Sequence, residues 1–445
     1  MNFIKKSVIL ISTMCFMTSN ISSTFFAFEE GANDSALSSS SYQQDLTSEQ
    51  IETINAQGVC IDSYSEFLSQ LTKNYTPMFS AKSSSADYVY PDDYAGVYFN
   101  EFNDNKMTLL LTDFENLQYY KNIFNSDICH YELADYAYND VCSLYDELSY
   151  VLSNFNNVNY IAIDVINNRV KVEIVKENDN QDIIDYVSNL GYDANMLEFE
   201  LTSKKNDVII ENGNTNLEDE EISRVSINSA SGVSYNAYSG SKIYSPQKYV
   251  SVGYNAINKQ TGEYGIVTAG HFFSNSNIDK IYNQDGVLIN ENKKGCIYYD
   301  NTITDVAFIP ANSVNTLKPS VYIRNFANYN NNQSAISKQA TSLSPAMVNT
   351  VVYSFGATTG KQEHTIVDMD RAFNVNGVTV KCICTKSSVQ VKGGDSGGPL
   401  ILYTNTNNKI GSVIGITKGY HYNGINSYFI SSVSILQNLK NIEIY

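Results

Sequence analysis

Histidine is scarce in this chain, with four in 445 residues, so any acid–base chemistry near neutral pH has few side chains to draw on. Cysteine is scarce too. Cys60, Cys129 and Cys142 lie in the first half, and Cys296, Cys382 and Cys384 in the second. Their spacings contain no zinc pattern, and an odd number in each half leaves at least one thiol without an internal partner there. Cys382 and Cys384, two apart on a strand, share a face at a separation of about 7 Å, too far to pair readily. Few bridges are possible, so a secreted domain of this kind must be stable through its core, or live in a reducing niche. Long apolar runs are also missing. The run Val8 to Met17, behind Lys5 and Lys6, falls well short of the roughly 20 residues that span a bilayer. With the small and polar residues up to Ala27 it reads as a secretory signal peptide over Met1 to about Phe28. Cys15, behind Met14, has a poor lipoprotein context. No later segment is apolar enough to span, so the expected product is secreted, released from the membrane or held only by the cell wall.

The charge is unevenly shared. Up to Ser231 there are 12 Lys and Arg against 36 Asp and Glu, net −24; from Gly232 onward there are 17 against 11, net +6, matching the total of −18. That reversal predicts a domain boundary near residue 231. It also favours docking of one half on the other, because complementary fields speed encounter and fix orientation.

What is present is concentrated in Gly394-Asp395-Ser396-Gly397-Gly398-Pro399, a stretch suited to presenting a serine hydroxyl at a tight turn. Gly394 can adopt a backbone conformation barred to residues with a Cβ, so that its N–H and that of Ser396 converge as an oxyanion hole. Asp395 reads as a buried support, whose expected partner is the new α-amino group of a cut precursor, since a buried carboxylate needs a mate. Serine is a weak nucleophile without an adjacent base, so a histidine and a carboxylate are expected elsewhere. His271 closes the apolar run Ile266 to Gly270, and Asp305 opens Asp305-Val306-Ala307-Phe308-Ile309.

The order His271, Asp305, Ser396, with gaps of 34 and 91 residues, is that of chymotrypsin-like enzymes rather than subtilisins or α/β-hydrolases. At these residues the chain resembles the secreted bacterial branch of that family, the streptogrisins and α-lytic protease. The resemblance implies an all-β double six-stranded antiparallel β-barrel with a C-terminal helix over 232–445, and a serine endopeptidase working through an acyl-enzyme. Gly356 to Gly360 and Val413 to Gly419 also match, the latter where the family runs a strand along the substrate. It further implies that Gln390, Thr417, Lys418, Gly419 and Tyr420 line the substrate site. Relatives usually have serine at Lys418 and glycine at Tyr420. Lys418 and His421 near the pocket would favour an acidic P1 side chain, and Tyr420 would narrow it; the bland alternative points both charged groups to solvent. The cysteines that brace other relatives are replaced by Phe272 and Gln390. A protease-shaped binding or adhesion protein without turnover is the alternative reading.

The first half, 29–231, carries a repeat. Val97 to Phe99, a turn at Asn103 to Lys106, a strand Met107 to Thr112 and a helical Asn116 to Phe124 recur as Tyr160 to Asp164, Asn167-Asn168, Val170 to Val175 and Gln181 to Leu190. Two hairpin-plus-helix modules, about 94–125 and 158–201, are predicted. They resemble in pattern the pro-regions of the α-lytic protease group, which assist folding and then block the cleft. Double barrels make long-range contacts whose loop-closure entropy slows folding. Asn33 to about Ser48 reads as a flexible tail, and 211–231 as an exposed, cleavable linker. In the second half the expected strands are Tyr249 to Tyr254, Tyr264 to Thr268, Thr304 to Ile309, Met347 to Phe355, Gly377 to Thr385, Leu400 to Tyr403 and Ile410 to Thr417. Ser432 to Asn441 is the expected closing helix, and Asn325 to Gln333 the loop between barrels. No metal, cofactor or nucleic acid is called for; the expected partners are peptide substrates and the chain's own pro-region, with the mature protein a monomer.

Overall fold

The computed structural model describes residues 47–73, 90–100, 104–124, 126–175, 180–202, 213–214, 237, 239–274, 278–284, 286–299, 304–311, 322–324, 333–340, 343–375, 377–405, 410–421 and 424–444. The signal peptide, the tail up to residue 46, nearly all of the linker 211–231 and all but the last residue of Asn325 to Gln333 lie outside them. Among the described residues no helix is long and apolar enough to cross a membrane.

Both repeats fold as the hairpin-plus-helix pattern requires, and each gains a third strand. Tyr94–Asn100 pairs antiparallel with Lys106–Leu111, and Asp104 and Asn105, just before the second strand, have φ +55°. The chain returns through Leu117–Ile123 to lay Cys129–Leu133 parallel to the second strand. The second module repeats this with Val158–Asp164, Arg169–Ile174, Gln181–Asn189 and Leu197–Leu201. Asn168, in the second hairpin turn and 3% exposed, joins the modules. Its amide donates to the carbonyls of Ala95 and Tyr136, and its Oδ1 accepts the Tyr136 N–H.

Two helices of the first half were not anticipated. Tyr138–Val151 buries Val141, Leu144, Tyr145 and Leu148 at helical spacing. Helix α1, Ser48–Lys73, is opened by a reciprocal cap in which Gln50 N–H donates to Thr47 Oγ1 and Thr47 N–H to Gln50 Oε1, the capping-box arrangement. Its Ile54, Gln57, Ile61, Tyr64, Phe67 and Leu71 are buried.

In the first barrel, two five-stranded sheets, one of them completed by Gly213–Asn214 of the linker pairing with Lys248 and Tyr249, enclose a core of Ile243, Val250, Ile266, Phe272, Ile281 and Ile309. The expected strand Tyr249 to Tyr254 is broken into Lys248–Ser251 and Tyr254–Asn258. At the break Val252 N–H donates to Ser241 and Gly253 N–H to Val267, so the chain passes from one sheet to the other there. The second barrel closes as a ring: Val351–Gly356, Gly360–Val375, Val378–Lys386, Asn426–Ser431, Ile410–Tyr420 and Pro399–Asn405 pair in that cyclic order, all antiparallel. The expected strand from Met347 starts late because Pro345–Met347 forms a capped 3-10 turn. Ser432–Asn438 is the closing helix, and Ile442–Ile444 returns to the first barrel. This is a chymotrypsin-like fold, preceded by α+β modules.

The halves share cores. The 16-residue strand Gly360–Val375 outruns its barrel, and Ala372 and Phe373 pair with Ile161 and Tyr160 of the second module. Tyr160 and Ile54 join the second barrel's core, and Ile61 packs in a neighbouring cluster with Leu400 and Phe429. Gly58 of α1 lies so close to the strand Pro399–Asn405 that a Cβ there would sit 1.8 Å from Thr404 O. Among the described residues one ion pair crosses between the halves, Lys381 to Asp146 at 3.4 Å and partly exposed. Opposed charge thus accompanies a junction whose contacts are mainly apolar and main-chain.

Candidate active site

The strand Tyr264–Thr268 ends at Ala269, and a short 3-10 turn, Gly270–Phe273, carries His271. Asp305 stands just before the strand Val306–Pro310, which pairs with Tyr264–Thr268. The pairing brings the two together. His271 N–H donates to Asp305 Oδ1 at 2.7 Å, and His271 Nδ1 meets Asp305 Oδ2 at 2.6 Å. His271 is 2% exposed and Asp305 fully buried. Burial alone would raise the Asp305 carboxyl, but the facing His271 and Lys418, with hydrogen bonds from the His271 ring and backbone, hold it well below the usual carboxylate range. With Nδ1 turned to a carboxylate, Nε2 is the ring atom left for other chemistry, and it has no hydrogen-bond partner.

The stretch around Ser396 is a tight turn held from both barrels. Gly394 has φ +94°, and a Cβ there would fall 2.2 Å from the Tyr249 ring and 2.6 Å from Thr358 Oγ1, so the position excludes other residues twice over. From the first barrel, Ser251 N–H donates to Ser396 O, and Ser251 Oγ donates to Gly394 O. Gly397 packs against Thr268 and Ala269, two residues before His271. From the second barrel, Gly397 N–H donates to Thr417 O and Thr417 N–H to Gly398 O, both at 2.7 Å.

Asp395 does not wait for a new chain terminus. Its Oδ1 accepts from Thr358 N–H and Thr359 N–H, and its Oδ2 from Thr359 Oγ1 and Lys392 N–H, at 2.8 to 3.0 Å. The expectation of an α-amino partner is corrected: the turn Gly356 to Gly360 supplies hydrogen bonds that satisfy both oxygens of the 1%-exposed side chain.

The residues expected around the substrate are placed as follows. Lys418 is 1% exposed, and its Nζ reaches Asp305 Oδ2 at 3.3 Å. It points neither to solvent nor outward along the strand. His421 is also buried, edge-on to Tyr428, so the solvent-facing alternative fails for both. Gln390 Nε2 donates to the carbonyls of His421 and Asn426, bridging two strand ends. Thr417 supports the serine turn as above, while Gly419 pairs with Tyr428 and Tyr420 with Ser427. All six described cysteines are free thiols, and burial pushes Cys382 up to about 12. Among the described residues no group of His, Cys, Asp and Glu could hold a metal ion. Ser251, Thr358 and Thr359 were missed as site residues. Nothing in the local pattern marks Ser251; the Gly356 to Gly360 stretch was visible, but not its link to Asp395.

The second half has the trypsin-like, chymotrypsin fold. Residues 256–438 match the trypsin family profile. Similar solved structures include a glutamic acid-specific serine protease described as using a histidine triad in substrate binding, at 18% identity and TM-score 0.37, covering 47% of this chain and all of that one. A Nocardiopsis protease (21%, TM-score 0.34) and Thermobifida fusca protease A (19%, TM-score 0.35) each cover 47% of this chain and are themselves covered over 98%. None of the curated proteins matches the chain.

Proposed function

We propose that this chain is a secreted serine endopeptidase, made as a precursor, that cleaves peptide bonds through an acyl-enzyme on Ser396. The observation that carries the reading is the two-point contact of Asp305 with the backbone and ring of His271, beside a serine turn whose Gly397 packs against Thr268 and Ala269 and whose Gly394 has positive φ. Ser396 Oγ attacks the scissile carbonyl as His271 Nε2 takes its proton. Asp305 holds the ring in the tautomer that leaves Nε2 able to accept, and stabilises the charged ring. The Gly394 and Ser396 N–H groups receive the oxyanion. His271 then returns the proton to the leaving amine, and water repeats the cycle on the ester.

The acidic first half acts as a pro-region, aiding folding and then inhibiting. Its support is the shared core, since the second barrel includes Ile54 and Tyr160 from outside itself. The test of the function is a fluorophosphonate probe on the purified chain, with the adduct mapped by mass spectrometry. Labelling at Ser396 that is abolished in His271→Ala supports it. A protein that refuses the probe and hydrolyses no peptide after linker cleavage would be the inert, adhesion-type alternative.

A further inference from the structure

The buried pair Lys418 and Asp305 is not required by the serine-histidine-aspartate scheme. A lysine amine has been taken out of water to 1% exposure, at a cost of several kcal/mol unless it is paired. Its partner is the one carboxylate oxygen that also meets the His271 ring, so Oδ2 receives Nδ1 at 2.6 Å and Nζ at 3.3 Å. While His271 is neutral, Lys418 and Asp305 balance each other. Once the ring takes the serine proton, two cations share one carboxylate. A neutral donor at 418 would impose no such competition.

We propose that Lys418 is a positioning residue that tunes the site through Asp305, its ammonium opposing the charging of His271 and so keeping the ring a free base at lower pH than Asp305 alone would allow. The proposal rests on the protease reading for its consequence in activity, but not for its electrostatics. Other charged or titratable groups lie around the pair. Lys248 Nζ donates to the carbonyls of His271 and Ser274. The Cys382 thiol faces Lys418 and Asp305, and Asp395 and His421 are buried in the adjoining turn and strand. All of them are common to the variants below, so differences between variants isolate residue 418.

The test compares Lys418→Met, Lys418→Gln and Lys418→Arg in the full chain. Fluorophosphonate labelling of Ser396 is followed against pH, and His271 is titrated by NMR in a Ser396→Ala background, its signal assigned by its loss in His271→Ala. Removing a like charge a few ångströms from the ring favours the protonated form. Met and Gln variants should therefore show the acid limb of labelling moved to higher pH, with the ratio of acidic to neutral rate down on the order of tenfold, and His271 taking up its proton earlier as pH falls. Arg should keep the parental profile. Gln retains a donor to Oδ2 without the charge, so Gln behaving like the parent would overturn the proposal in favour of plain hydrogen bonding. Met and Gln profiles that both coincide with the parent would overturn it altogether. A His271 shift in a protein that never labels would sink the protease reading and leave this one standing; labelling without any shift would do the reverse. If Lys418→Met does not fold, Gln and Arg carry the comparison.

Discussion

Gln57 of helix α1 and Val351 of the second barrel exchange two hydrogen bonds, Nε2 to Val351 O and Val351 N–H to Oε1, each 2.9 Å. The same Nε2 also donates to Tyr403 O at 3.0 Å, so one fully buried amide from the first half closes the edges of two barrel strands. Gln57→Ala strands those backbone groups, and stability to urea should fall by about 1–3 kcal/mol. A loss under about 0.5 kcal/mol would mean the helix does not brace the barrel.

Asp305→Asn keeps the shape but reverses the hydrogen-bond demand on Nδ1. Peptide hydrolysis near neutral pH should drop by about four orders of magnitude. Retention of most activity would assign the third member of the triad to another carboxylate such as Asp300.

His364 is a buried neutral histidine, its ring between Ser354 Oγ and Thr385 Oγ1 and edge-on to Phe429. Burial pushes it down to about 3. Because the unfolded chain binds this proton at higher pH than the folded one, its contribution is fully present above about pH 6.5 and is lost as pH falls from there toward 3. Between pH 7 and pH 5 the parent should lose about 2 kcal/mol more unfolding free energy than His364→Gln. Equal losses would show that the ring is not held neutral.

Ala237 is buried in the first barrel's core, which bounds the maturation cut. The wild-type chain from culture medium should yield a fragment beginning between Glu221 and Asn236, and Ser396→Ala should accumulate uncut. N-terminal sequencing decides this. An active enzyme that keeps residues before Glu211 attached by an uncut chain would count against a precursor.

A protein made from about Gly232 onward lacks Ile54, Gln57 and Tyr160. It should stay inactive until the first half is supplied as a separate chain, which in intact excess should inhibit. Inhibition should weaken with salt only partly, since Lys381–Asp146 is a single exposed pair. Unaided refolding of that half to full activity at the same rate would refute the folding role.

Local chemistry made much of this legible. Polar turn residues that tolerate positive φ mark both hairpins, Asp104 and Asn105 in the first and Asn168 in the second, and so the repeated modules could be read from Asn103 to Lys106 and Asn167-Asn168. Gly394 is demanded by its own backbone. Helix α1 was not expected, because polar residues dominate the stretch before it, although Thr47 and Gln50 cap its start. Gly360–Val375 was obscured for another reason: His364, Asp368 and Arg371 break its alternation, yet all three are buried with partners.

By itself the sequence determined the order of the candidate triad, which is simply the order of three positions along the chain, and the residue types of the serine turn, which depend on backbone conformations within a few positions of one another. Only the tertiary structure decided where the long polar side chains end. Lys418 lies 113 residues from Asp305 and Gln57 lies 294 from Val351, and nothing along the chain distinguishes a lysine that reaches water from one that reaches a buried carboxylate. That choice is made by packing: once the barrels close around these groups, an unpaired amine or amide costs more than any local preference can return.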